Sequence, residues 1–185
     1  MTGDGTVIAT IAAGVATDAA GNNNAASTST DNTVTFDATA PTVTIDQALA
    51  QVDPTNVSPI NFTVVFNEAT TNFATGDVTL GGTAGATTAT VTGGPTTYNV
   101  AVSGMTGDGT VIATIAAGVA TDSLGNGNTA STSTDNTVTY DTTAPIVTID
   151  QTLAQPDPTG ASPINFIVVF NETTANFATG DVTLG

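Results

Sequence analysis

The side chains of this 185-residue chain that could do chemistry are almost all carboxylates. The chain has 16 Asp and Glu residues and no Lys, Arg, His or Cys, so its formal net charge is −16. Carboxylates without cationic partners repel one another, so they must spread into water, take up protons or bind a metal cation. Ca²⁺ takes six to eight oxygen ligands from carboxylates, amides and backbone carbonyls. Calcium binding is therefore the first chemistry to consider.

The missing residue types exclude several other functions. Without basic residues the chain has nothing to contact the phosphates of nucleic acid or an anionic membrane. Carboxylate pairs can hydrolyse glycosides, but here no His, Lys, Arg, Cys or Trp could tune or orient them, so we expect no enzyme. No apolar run approaches the roughly 20 residues that span a bilayer, so we expect no membrane span.

The hydrophobic pattern favours β-strands over disorder, although the net charge is high. The apolar fraction is 39%, and apolar residues recur at alternate positions. The clearest example is Ile60–Phe66, where Ile60, Phe62, Val64 and Phe66 are predicted to point inward. Phe73 and Phe177 lie in the loops that follow this strand in two copies of the repeat. They are predicted to fill the core rather than to serve as platforms for a ligand.

The chain repeats itself with a period of 104 residues. Met1 matches Met105, and residues 1–81 differ from residues 105–185 at 14 of 81 positions. A period of this length indicates whole domains in series rather than a short solenoid unit. Because Met1 matches an internal methionine, we expect it not to be the initiator, and we expect the natural protein to be longer.

Two Pro-containing connectors divide the repeats. The sequence DATAP at 37–41 recurs as DTTAP at 141–145, and each proline favours an extended, semi-rigid segment. We therefore predict closing strands of a preceding repeat at 1–36, a complete repeat at 37–141 and opening strands of a following repeat at 142–185. The predicted strands are 5–13 and 27–37, then 42–47, 60–66, 77–80, 86–92, 97–102, 109–117 and 131–140, then three more after 142.

Seven short strands in about 100 residues, with turn signals between them, are typical of an immunoglobulin-like sandwich. The predicted fold is all-β, with tandem seven-stranded immunoglobulin-like Greek-key sandwiches. DATAP at 37–41 and TDSLGN at 121–126 resemble sequences of the bacterial Ig-like domains of giant surface proteins and RTX-type adhesins. That resemblance implies an extracellular, cell-surface stalk, often made rigid by Ca²⁺ at the domain junctions.

Strand counting assigns the acidic residues to the two ends of the sandwich, since successive strands run in opposite directions. It predicts Ca²⁺ sites where consecutive repeats meet. The alternative is that loop acids are simply solvated and keep the protein soluble. The candidate ligands at the end next to residues 1–36 are Asp37, Glu68, Asp77, Asp122 and Asn126. The candidates at the opposite end are Asp53, Asp108 and Asp141, joined by Glu172 and Asp181 of the next repeat.

Two functions remain open at this stage. The first is a structural spacer in a surface adhesin stalk or filament, whose partners are neighbouring repeats of the chain or further copies that self-assemble. The alternative is a glycan- or ligand-binding module, which would need exposed aromatic side chains. The chain has no Trp and nine Phe and Tyr residues, mostly at inward positions of the predicted strands.

Overall fold

The computed structural model describes Met1 and residues 3–185, and Thr2 lies outside the described residues. The described residues form an all-β structure in two compact units, Met1–Asp141 and Thr142–Gly185. Among them, no helical segment is long and apolar enough to cross a membrane. The strands are β1 Gly5–Ile8, β2 Thr33–Phe36, β3 Val43–Gln47, β4 Ile60–Phe66, β5 Val78–Gly81, β6 Thr88–Gly93, β7 Thr97–Ser103, β8 Gly109–Ile115, β9 Thr137–Tyr140, β10 Val147–Gln151 and β11 Phe166–Phe170.

Strands β3 to β9 form two antiparallel sheets that share one hydrophobic core. The first sheet has the order β3-β4-β7-β6 and the second has the order β5-β8-β9. The core joins inward residues of both sheets, such as Ile45 and Phe62 in the first with Val111 and Val138 in the second. This is a β-sandwich-like architecture.

The alternating sequence of β4 fixes which of its faces is buried. Ile60, Phe62, Val64 and Phe66 are buried as predicted, while the residues between them are less so. At the end of this strand Phe66, Phe73 and Tyr98 pack edge to face, with ring centroids 5.0–5.9 Å apart. The buried Phe73 therefore anchors the loop that follows β4, as the sequence predicts.

One predicted strand, 131–140, divides between two places. Only its last part forms β9, because the first part leaves that sheet and lies along the free edge of β3. The Ile45 N–H donates to the Thr132 carbonyl at 3.2 Å, and the Thr132 N–H donates to the Val43 carbonyl at 3.0 Å. The Asp46 carboxylate holds the same segment by accepting hydrogen bonds from Ser133, Thr134 and Asp135. This segment closes one side of the sandwich.

The strands outside the complete sandwich are shorter or fewer than predicted. β1 ends at Ile8, whereas its equivalent β8 continues to Ile115 because it also pairs with β5. In the unit 142–185 only β10 and β11 form a pair. The predicted third strand, around Asp181, does not form in the described residues.

Candidate metal centre

Three segments meet at the end of the sandwich next to residues 1–36, and hydrogen bonds hold them together. The connector bonds to the loop after β4, since Thr42 N–H donates to Asn67 Oδ1 at 2.7 Å. It also bonds to the loop after β8, since Thr129 N–H donates to the Pro41 carbonyl at 2.9 Å. The two loops bond to each other, because Thr121 N–H donates to Asn72 Oδ1 at 2.7 Å. These hydrogen bonds therefore fix the three segments relative to one another.

The acidic side chains of these segments converge. One carboxylate oxygen from each of Asp37, Glu68 and Asp122 lies within 4.8 Å of the other two. Asp122 is only 4% exposed, and Asp37 and Glu68 are partly buried. With no Lys, Arg or His in the sequence, no cationic side chain can neutralise this cluster.

A turn at 122–126 sets the position of the Asp122 carboxylate. Its Oδ1 accepts hydrogen bonds from the N–H groups of Leu124 and Asn126 at 2.8 and 2.9 Å, and its Oδ2 accepts one from Asn126 Nδ2 at 2.8 Å. Gly125 has φ +91°, a left-handed conformation that favours glycine. Burial raises the pKa of Asp122, but the hydrogen bonds from Asn126, Leu124 and Gly125 outweigh it and hold that pKa below its ordinary value. The carboxylate is therefore charged at neutral pH.

The same turn forms in the preceding repeat, where Asp18 accepts from Ala20 N–H, Asn22 N–H and Asn22 Nδ2, each at 2.9 Å. The sequence of the turn therefore preorganises the aspartate by itself. In the complete repeat Asn126 Nδ2 also donates to the Asp37 backbone carbonyl at 3.3 Å. Asn126, which the sequence predicts as a metal ligand, thus uses its amide N–H groups to orient Asp122 and the connector.

Glu68 is the residue of the cluster whose pKa is raised by its surroundings. Its pKa is raised above the ordinary value by burial first, and then by the negative charges of Asp122, Asp37 and Asp4. The shift shows that a negative charge at this position is disfavoured by its surroundings. A bound cation would reverse that effect.

Asp4 is a fourth acidic residue at this end, and sequence reasoning did not include it among the ligands. Its Oδ1 accepts a hydrogen bond from the Ala38 N–H at 2.8 Å, and its Oδ2 accepts one from the Thr39 hydroxyl. These hydrogen bonds, the one from Thr39 first, hold its pKa below the ordinary value. The repeat could have identified Asp4, because it is equivalent to Asp108. Strand counting places Asp108 at the end of its repeat that faces the next repeat.

The other predicted ligands take no part in this cluster, and the described residues contain no second group of three acids. Asp77 turns away, with its Oδ2 accepting from the Ala74 N–H at 2.7 Å, and Asp181 does the same with Ala178. Asp53 accepts from the Thr139 N–H at 2.9 Å. Asp108 and Glu172 are exposed, and Asp141 is partly buried, with its N–H donating to the Thr55 carbonyl at 2.9 Å.

Comparisons with protein-family models, with curated proteins and with solved structures gave no significant match for this chain.

Proposed function

We propose that this chain is a structural repeat of an extracellular stalk or filament, as in a bacterial surface adhesin, with neighbouring repeats as its main partners. The 104-residue period supports a role in which length matters, because successive copies are nearly identical. In such a protein each sandwich is a spacer, and the stiffness of the junctions sets the reach of the whole molecule.

We also propose that the complete repeat is an immunoglobulin-like Greek-key sandwich. The order β3-β4-β7-β6 opposite β5-β8-β9 supports this, because it matches the ABED and CFG sheets of the constant-type immunoglobulin fold, with β3 to β9 as A to G. In that topology the connector, the B–C loop and the F–G loop gather at one end. These are the segments that carry Asp37, Glu68 and Asp122.

The observation that carries the functional proposal is the cluster of Asp37, Glu68 and Asp122, which we assign as a Ca²⁺ site. Oxygen ligands on opposite sides of Ca²⁺ lie about 4.6–5.2 Å apart, so three oxygens within 4.8 Å of one another suit one ion. The three carboxylates offer up to six oxygens, all hard donors. The raised pKa of Glu68 favours the same assignment, since a divalent cation would relieve the repulsion there.

Calcium bound at this site would stiffen the junction, since each of its three ligands comes from a different segment. Asp37 belongs to the connector, Glu68 to the loop after β4 and Asp122 to the turn after β8. Asp4, from residues 1–36, already bonds to the connector at Ala38 and Thr39. Clamping the connector to both loops would therefore restrict the hinge between successive repeats.

Small-angle scattering and thermal unfolding of the 185-residue chain, with millimolar Ca²⁺ or with EDTA, test this function. We expect Ca²⁺ to raise the melting temperature and to increase the maximum dimension of the particle. The stalk mechanism would be refuted if the scattering profile and the melting curve were the same in both conditions.

A further inference from the structure

The beginning and the end of the complete repeat lie side by side and run in the same direction. Residues 41–55 lie at its beginning and residues 129–141 at its end, and a parallel bridge joins Thr44 to Thr132, with a second one further along. The pairings between the named strands are all antiparallel, so this parallel contact is distinct from the two sheets. We call these two segments together the terminal clamp.

Backbone hydrogen bonds join the two segments along the whole terminal clamp. At its beginning the Thr129 N–H donates to the Pro41 carbonyl at 2.9 Å, and at its end the Asp141 N–H donates to the Thr55 carbonyl, also at 2.9 Å. The two bonds between Thr132 and β3 lie between them. Pro41 and Asp141 belong to the two connectors, so the clamp reaches from one connector to the other.

Asp46 adds side-chain hydrogen bonds in the middle of the terminal clamp. Its Oδ1 accepts from the Ser133 hydroxyl and the Thr134 N–H at 2.8 Å each, and from the Asp135 N–H at 3.0 Å. Hydrogen bonds to a charged acceptor are stronger than those between neutral groups. The carboxylate therefore strengthens the contact between segments that lie 87–89 residues apart in the sequence.

The apolar side chains beneath the terminal clamp fix its register. Val43 and Ile45 of β3 and Val138 of β9 are all buried in the core. When a strand slides by one residue, its buried side chains move to the opposite face. The two segments therefore cannot slide past each other without exposing part of the core.

We propose that the terminal clamp is the part of the repeat that resists tension along the stalk. Tension reaches each sandwich through its two connectors, and it pulls residues 41–55 and residues 129–141 in opposite directions along their length. Because the two segments are parallel, the hydrogen bonds between them are stretched together and must break together. A hairpin that is pulled open from its ends loses its bonds one at a time instead. This inference rests on the proposed stalk function, but Asp46 does not belong to the acidic cluster.

Optical tweezers that hold the 185-residue chain at constant force, in EDTA, test the terminal clamp. The chain has no cysteine, so the changes Ala40→Cys and Ala144→Cys supply one attachment point for a handle on each connector. Tension then crosses the complete repeat alone. The measured quantity is the unfolding rate at a fixed force, because forced unfolding is governed by that rate.

Asp46→Asn is the test variant, and Asp135→Asn is its matched control. Asp135→Asn removes one negative charge from the same clamp, but it keeps the Asp135 N–H that donates to Asp46. Weaker hydrogen bonds in the clamp should raise the unfolding rate of D46N about 10- to 100-fold. D135N should unfold at the rate of the protein without either change. Equal rates for the two variants would overturn the proposal.

A core variant separates resistance to force from general stability. Phe73→Ala should cost more free energy than D46N in urea unfolding, yet Phe73 lies outside the clamp and keeps its contacts until the clamp breaks. We therefore expect Phe73→Ala to raise the unfolding rate under force far less than D46N does, and an equal or larger increase would overturn the proposal. If D46N does not fold, Ser133→Ala replaces it, because it removes one donor to Asp46. It should raise the rate in the same direction, and an unchanged rate would overturn the proposal.

These experiments fail separately from the proposed calcium function. They are made in EDTA, and both handles lie on the same side of Asp37, so the acidic cluster is not pulled apart. An unchanged rate for D46N, with an intact response to Ca²⁺ in scattering, would refute the clamp and leave the stalk proposal standing. A faster rate for D46N without any calcium response would instead refute the calcium site and leave this inference standing.

Discussion

Replacing Glu68 by Gln should affect stability in opposite directions with and without calcium. In EDTA the side chain of Glu68 lies close to the charges of Asp122, Asp37 and Asp4, and its pKa is raised. A carboxyl group with a raised folded pKa contributes stability at low pH and loses it as the pH rises through that pKa. Glu68→Gln should therefore melt above the wild type in EDTA, and the gap should open as the pH rises from about 4 to 7.

With calcium the order should reverse, because the variant lacks a ligand. A site filled at about 100 times its dissociation constant adds about 2.7 kcal/mol to the folded state. The unfolding entropy is about 2.1 cal/mol/K per residue, so a cooperative unit of 105 to 141 residues gains or loses about 0.22–0.30 kcal/mol per degree. The wild type should therefore melt about 9–12 °C higher with calcium than in EDTA.

Differential scanning calorimetry with Ca²⁺ titrated from micromolar to about 10 mM, above the range in which extracellular modules bind, measures both effects. Asp31→Asn is the matched control, because it also removes one negative charge and Asp31 lies outside the acidic cluster. We expect D31N to keep the full calcium response and E68Q to lose most of it. The reasoning is refuted if E68Q responds to calcium like the wild type, or if it melts below D31N in EDTA at pH 7.

Three further predictions concern the parts that support the site. Asn126→Ala should lower the affinity for Ca²⁺ in isothermal titration calorimetry, because it removes the side-chain hydrogen bond that orients the Asp122 carboxylate. The equivalent change Asn22→Ala should leave the affinity unchanged, and equal affinities of the two variants would contradict the role of the turn. Asp46→Asn should cost about 1–3 kcal/mol in urea unfolding at pH 7. Burial raises the pKa of Asp46, but hydrogen bonds from residues 133–135 outweigh it and hold that pKa below its ordinary value. The cost should therefore fade below about pH 4, and a cost that stays constant with pH would contradict this explanation. Phe73→Ala should cost about 3–5 kcal/mol in urea unfolding, because it leaves a cavity between two rings. Phe177→Ala should cost far less, because Phe177 is 46% exposed; similar losses would mean that burial does not anchor the loop.

Much of the fold could be predicted from the sequence, because alternating apolar residues leave few options. Ile60–Phe66 has one apolar face, so its burial in a sheet follows directly from its period of two. The segment 131–135 could not be placed in this way, since Ser, Thr and Asp there provide no apolar face. Its position along β3 depends on hydrogen bonds with Asp46, which come from a residue almost 90 positions away.

The candidate site was predictable only at the level of loops. Counting strands brought the loops of Asp37, Glu68 and Asp122 to one end of the sandwich. The same count included Asp77, whose carboxylate instead turns back to a backbone N–H three residues earlier. It omitted Asp4, because contact between one repeat and the next connector depends on local hydrogen bonds that strand order does not specify.

A crystal structure of the 185-residue chain grown with millimolar Ca²⁺ tests the central claim most directly. The account predicts one anomalous peak about 2.3–2.6 Å from carboxylate oxygens of Asp37, Glu68 and Asp122. It would be contradicted by three carboxylates that point apart into solvent, with no ion between them at that calcium concentration.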